Sequence, residues 1–264
     1  ALRRLAFDAA VILRFDHWWG AWLARLAGIP RVVGYDLPTT RPFLTQAVPY
    51  QPGRHEALQN LGLLQALLGR QAAELSPGAA PMEFAFPAAA AQAVAGRLGP
   101  APYLCLHPGA GAAVKLWPAD RWAQAADALS GEVGRVVLTG GPDELALAWQ
   151  VAAHMRSEPL VLAGQTSLDE LAAIFAQARL ALGSDSGPLK LAQAVGAPTV
   201  QLYGPVDADA FGPWGDPAAW RVVRSPLPCV PCHRLDYAPD ELPAHRCMEA
   251  IPVEAVVAAA RELL

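Results

Sequence analysis

The chain has 264 residues, 53% of them hydrophobic and 17% charged, with a formal net charge of −4. That balance suits a well-buried α/β protein of one large or two medium domains and argues against disorder. It gives no electrostatic reason to expect a nucleic-acid partner.

In chain order, residues 9–13 read as a strand, 18–27 as a helix and 31–34 as a strand. Residues 55–68 read as a helix with Leu58, Leu61, Leu64, Leu67 and Leu68 on one side. The stretch 76–102 changes character. Pro77, Pro81, Pro87, Pro100 and Pro102 punctuate it, an Ala-rich helix lies between Pro87 and Pro100, and the whole reads as a linker. The expected domains are residues 1–97, with the linker, and 98–264. A new βα series then begins. Residues 103–106 are a strand, and Pro118 sits in the first turn of a helix running to about Leu129. Residues 135–138 are a strand ending in Thr139-Gly140-Gly141-Pro142, and a helix follows to about Met155. Residues 160–162 form a short strand, and Ser167-Leu168-Asp169-Glu170 is a capping box for the next helix. Residues 180–182 and 198–202 are strands on either side of a loop and helix, and residues 253–264 close the chain as a helix. Alternation of this kind implies a parallel, doubly wound sheet with ligands at the carboxyl ends of its strands. The loops at those ends are 107–115, 139–144, 164–167, 183–187 and 203–207.

Two of these loops have the composition of anion sites. Gly183-Ser184-Asp185-Ser186-Gly187 leads from a strand into a helix whose first turn carries free N–H groups. Such a loop is also the ordinary make-up of a helix cap. His107-Pro108-Gly109-Ala110-Gly111 follows a strand, and Lys115 stands before the next helix, placed to add a point charge against a diphosphate. The plain alternative is a flexible Gly/Ala loop with a solvated lysine. Asp143 and Glu144 follow Gly140-Gly141; they can accept from ribose hydroxyls or simply complement a helix dipole.

The ordered set of motifs resembles a known family. His107-Pro108-Gly109, Lys115-Leu116-Trp117-Pro118, the run 138–144, the run 162–168, Ser184-Asp185-Ser186-Gly187-Pro188 and Leu202-Tyr203-Gly204-Pro205 are similar to glycosyltransferase family 9. This is the family of the ADP-heptose:lipopolysaccharide heptosyltransferases. The runs 13–20 and 28–35 resemble the later part of its N-terminal domain. The resemblance implies an α/β protein of GT-B fold, with two Rossmann-like domains facing a cleft. It implies an inverting, metal-independent transfer of heptose from an ADP-sugar to a lipopolysaccharide-type or other saccharide acceptor. No cofactor beyond the nucleotide-sugar donor is then required. Carried over by position, Lys115 contacts the donor phosphates, Asp185, Ser186 and Gly187 lie at the sugar and diphosphate, and Glu144, or less directly Asp143, meets the ribose. Gly109 and Ala110 belong to the same donor loop. At Lys190 the family usually has a histidine. Lysine can pair with phosphate as a cation but cannot accept a hydrogen bond as a neutral imidazole does.

The family's general base lies in a Gly-Asp loop that opens the N-terminal domain, and no such loop occurs in the first half of this chain. The first part of that domain is therefore expected to be missing and the catalytic base to lie upstream. Asp8 and Asp16 are read as loop or surface charges. A nucleotide-sugar-binding module without transferase activity is the alternative function, and another reaction on the same fold, such as epimerisation, a third.

Remaining features have plainer readings. Cys229-Val230-Pro231-Cys232-His233 and the later Cys247 offer a zinc-like spacing, but a second Cys-x-x-Cys is missing, so no metal is expected there. Cys105 reads as core. Trp18 and Trp22, one helical turn apart, also read as core. Trp19 and His17 are candidates for an acceptor groove, and Arg31, Arg41 and Arg54 for an anionic acceptor. With no spanning apolar run, no visible signal peptide and no disulfide framework, the expected location is cytoplasmic, with peripheral contact at the inner membrane implied by the family's lipid-linked acceptors.

Overall fold

The computed structural model describes residues 2–69 and 81–264. The part of the expected linker at 76–80 lies outside the described residues. The chain divides into two compact units, Ala1–Ala79 and Ala80–Leu264. The Ala-rich helix of the linker packs within the second.

The first unit runs α1 (Leu2–Leu5), β1 (Ala9–Val11), α2 (Trp18–Leu26), β2 (Arg31–Tyr35), β3 (Gln46–Val48) and α3 (Glu56–Leu67). Its three strands pair in parallel in the order β1-β2-β3. Helix α2 meets the core through Ala21 and Ala24, which pack with Ile12, Ile29 and Val32. Trp18 and Trp22 share a face as expected, but that face is solvent-exposed, at 49% and 45%. The assignment of both to the core is therefore corrected. Small residues let the helix approach the sheet closely, and the two indoles fall on the other side of a 3.6-residue turn. Helix α3 likewise leaves large apolar side chains in solvent. Its buried positions are Gln59 and Leu63, while Leu64 and Leu68 are exposed. With leucines on every face, spacing alone does not select the stripe. Gln59 is fixed by accepting from the Gln51 N–H at 3.0 Å.

The second unit begins with α4 (Ala88–Leu98) and continues β4 (Tyr103–His107), α5 (Ala119–Val133), β5 (Arg135–Leu138), α6 (Leu145–His154), β6 (Leu160–Val161) and α7 (Leu168–Gln177). It ends β7 (Leu180–Ser184), α8 (Gly187–Ala194), β8 (Thr199–Tyr203), α9 (Ala208–Phe211), β9 (Trp220–Arg224) and α10 (Val253–Arg261). The sheet is wholly parallel, in the order β6-β5-β4-β7-β8-β9. All five residues of β4, β7 and β8 are buried, as a sheet covered on both faces requires. Alternation along the strands feeds two cores. Leu104, Leu106, Val136, Leu138, Leu182 and Val200 meet α5 and α10 on one face. Tyr103, Cys105, Val137 and Ala181 meet α4, α7 and α8 on the other. Cys105 is core as expected, and burial pushes its thiol up to about 12.

Helix ends follow local chemistry. Ser167 caps α7 by accepting from the Glu170 N–H, and the Glu170 carboxylate accepts from the Ser167 N–H. Pro118 stands one position before α5 rather than within its first turn. Gly183 is required by packing. A Cβ there would lie 2.3 Å from the Leu189 side chain and 2.8 Å from the His107 carbonyl oxygen, so α8 and β4 can close on β7 only around glycine. Among the described residues, no helix is long and apolar enough to cross a membrane.

Candidate functional site

Strand order reverses between β4 and β7, where neighbouring chain connections leave on opposite faces. The Gly/Ala loop after β4 and the Gly/Ser loop after β7 emerge at this switch point, since His107 pairs with Gly183 in the register. An open pocket of about 460 Å³ lies there. His107, Ala110 and Gly111 line it from the first loop, Gly140, Gly141 and Glu144 from the second, and Thr166 and Ser167 from the third. Ser186 and Gly187 complete it from the loop after β7.

Helix α8 starts at this pocket with two free N–H groups, at Gly187 and Leu189, because Pro188 carries none. No side chain caps it. The Ser186 hydroxyl is buried without a partner. Unmet donors at a helix N-terminus suit an anion.

Glu144 is set by its neighbours. Its carboxylate accepts from the Gly141 N–H at 2.7 Å and lies 3.4 Å from Nε2 of His107. Nδ1 of the buried His107 is 3.1 Å from the Thr139 hydroxyl. The hydrogen bond with His107, helped by the Gly141 N–H, holds the Glu144 carboxyl below the usual carboxylate range against the opposing effect of burial. Asp143, next to it, is exposed. Gly109 leaves the space that Glu144 fills, for a Cβ at Gly109 would lie 1.9 Å from Oε1 of Glu144. Gly109→Ala is therefore expected to expel this carboxylate. The displaced group is the end of a flexible side chain, so the fold should survive. The expected result is ADP binding weakened about tenfold with a melting temperature close to that of the parent. A large drop in melting temperature would show that Gly109 serves the fold instead.

Beside the pocket, joined to it through Asp185-Ser186, is a cluster of charge. Lys115 ends a short 3₁₀ turn, Ala113–Lys115. Its ammonium donates to the Asp185 carbonyl at 2.7 Å and to the Asp185 carboxylate at 3.1 Å. Lys190 approaches the other carboxylate oxygen at 3.9 Å. Asp185 is 9% exposed, so both lysines face a carboxylate largely withdrawn from water. Gly109, Ala110, Lys115, Glu144, Asp185, Ser186, Gly187 and Lys190 thus come from three separate stretches, after β4, β5 and β7, to one end of one sheet.

Of the lining residues, Thr166 and Leu168 lie in the run 162–168 that carries the family resemblance, whereas Leu171 did not stand out in the sequence. Ser167 was legible as a cap, and that same turn also walls the pocket. A second cavity, of about 620 Å³, is lined by Val114, Trp117, Arg246 and Met248 among others and by none of the expected donor residues. Cys229 and Cys232 are exposed, and Cys247 is buried. Among the described residues, no three His, Cys, Asp or Glu side chains gather as a metal site.

In the first unit, His17 and Trp19 stack edge to face with centroids 4.0 Å apart. Arg41 is paired with Asp36, Arg31 donates to the Leu67 carbonyl, and Arg54 donates to Gln51. Asp16 is held by Arg14 through two hydrogen bonds.

The family model for glycosyltransferase family 9 (heptosyltransferase) matches residues 1–238. Lipopolysaccharide heptosyltransferase 3 of Escherichia coli K12 is 33% identical over 167 residues, 61% of this chain and 46% of that protein. The chain thus spans about half the length of this curated relative. A crystal structure of a family 9 glycosyltransferase from Veillonella parvula superposes with a TM-score of 0.79 at 24% identity, over 99% of this chain and 77% of that one. An E. coli heptosyltransferase solved with ADP superposes with a TM-score of 0.71 at 19% identity, over 99% of this chain and 76% of that one. These likenesses give the fold, which is of the GT-B type. With the family model covering most of its length, the chain belongs to glycosyltransferase family 9 (heptosyltransferase).

Proposed function

We propose that this chain carries the donor site of an inverting glycosyltransferase that moves a sugar, heptose first, from an ADP-sugar to a lipopolysaccharide-type saccharide. One observation carries the reading: Lys115 is held on Asp185 where a Gly/Ala loop and a Gly/Ser loop meet at the switch point of a parallel sheet. A diphosphate placed there meets Lys115, the backbone of Gly109 and Ala110, and the free N–H groups at the start of α8. Asp185, Ser186 and Gly187 border the sugar, and Glu144 accepts from the ribose. Departure of the nucleotide builds negative charge on the diphosphate, and a fixed ammonium with fixed N–H donors lowers the cost of that charge. The transfer needs no metal in this scheme, and its acceptor base is not assigned to any carboxylate of this chain. The acceptor places the reaction at the cytoplasmic face of the inner membrane, with no part for nucleic acid.

ADP is the nucleotide chosen because an E. coli protein of the same fold was solved with it. Calorimetric titration with ADP, UDP and GDP tests the donor reading. Selective binding of ADP is expected, and failure to bind any nucleotide would sink it. A second reading is a nucleotide-sugar-binding module without transferase activity. ADP binding without acceptor-dependent ADP release would select it.

A further inference from the structure

Lys190 occupies the position where the family resemblance leads one to expect a histidine, and its surroundings assign it a different task from Lys115. Its ammonium lies 2.6 Å from the Phe211 carbonyl, 2.9 Å from the Tyr203 hydroxyl, 3.0 Å from the Gly212 carbonyl and 3.4 Å from the Gln201 side-chain oxygen. An ammonium has three protons to donate. Four acceptors, from β8 and the end of α9, already surround it, so none is left over for a ligand.

Asp185 has the opposite problem. One of its carboxylate oxygens is engaged by Lys115, and the other has Lys190 as its cation. Lys115 leaning toward a diphosphate would loosen its grip on this buried carboxylate. A buried charge that loses its partner is expensive. The second cation decides whether that exchange is affordable.

We propose that Lys190 is a positioning residue, the fixed counter-ion of Asp185 that frees Lys115 to bind the diphosphate of the donor. This rests on the donor reading above. The charged and titratable groups around Lys190 are Asp185, Lys115 across it, and Tyr203 on β8, whose phenol burial raises far above its usual range. Arg224 on β9 is taken up by Asp209. Burial draws Lys190 down to about 8, against the pull of Asp185.

The test is a double-mutant cycle read by ADP titration. Lys190→Gln keeps amide donors for the Phe211 and Gly212 carbonyls but removes the charge. It is expected to weaken ADP binding about tenfold in the parent chain and less than about twofold in an Asp185→Asn background, because the coupling runs through the Asp185 charge. Affinity unchanged by Lys190→Gln would overturn the proposal. So would an equal loss in both backgrounds, which would mean that Lys190 touches the nucleotide itself. A pH series on the parent and on Asp185→Asn covers the case in which Lys190→Gln does not fold. Phosphate groups are ionised above pH 7. ADP affinity of the parent should then fall between pH 7 and 9 as Lys190 loses its proton, while Asp185→Asn stays flat. A flat parent profile overturns the proposal. A parent chain that binds no ADP at any pH instead removes the donor reading, and this inference with it.

Discussion

Lys115→Ala is expected to weaken ADP binding by about 2 kcal/mol, roughly 30-fold in Kd. The residue is well placed for so large an effect. Its ammonium is held by both the carbonyl and the carboxylate of Asp185, in a site where each side chain is about 12% exposed. Partial burial reduces screening by salt, so the loss should persist at physiological ionic strength. Removing the cation also leaves the Asp185 carboxylate facing an incoming diphosphate with one counter-ion fewer, which adds repulsion to lost attraction. Nucleotides that differ only in the base should lose affinity by the same factor, since Lys115 acts on phosphate. The measurement is calorimetry on parent and variant, with thermal melts to show that both are folded. Parent-like affinity in a folded Lys115→Ala protein would return the 107–115 loop to its plain reading, a flexible loop with a solvated lysine.

The second unit was legible because its physics is written in residue types. Strands buried on both faces read as unbroken apolar runs, such as 103–106 and 180–182, which the structure extends to Tyr103–His107 and Leu180–Ser184. Glycine and proline mark where those runs end. The loops at the strand ends then follow from topology, and four of them meet in one pocket. What sequence could not reveal depends on contacts that carry no residue signature. The Lys190 ammonium is satisfied partly by the main-chain carbonyls of Phe211 and Gly212, more than 20 positions away. No motif announces a backbone oxygen. Strands β3 and β9 went unread for a related reason. Gln46–Val48 is three residues long, and Trp220–Arg224 closes the sheet edge with arginines at two of its five positions. In the first unit size misled: two tryptophans outweighed two alanines in the reading of α2, although closeness of packing favours the alanines.

The largest effect on stability is expected at Trp122. Trp117 and Trp122 pack edge to face with centroids 4.6 Å apart, and both are fully buried in the core that α5 and α10 form on the sheet. Trp122→Ala removes a whole indole from that core and should cost about 4 kcal/mol, on the order of 10 °C in melting temperature. Trp122→Phe should cost much less. The buried Trp122 N–H has no hydrogen-bond partner, so deleting it removes an unmet desolvation penalty that offsets part of the lost ring. Trp117 differs because its N–H donates to the Ile251 carbonyl at 3.2 Å. It also stands two residues after Lys115, so its packing fixes the end of the donor loop. Trp117→Ala should therefore lower ADP affinity in the folded protein as well as stability, whereas Trp122→Phe should leave affinity intact. Thermal melts paired with titration separate the two. Equal losses from Trp122→Phe and Trp122→Ala would refute the offset assigned to the unpaired N–H, and an unchanged ADP affinity in Trp117→Ala would detach the core from the placement of Lys115.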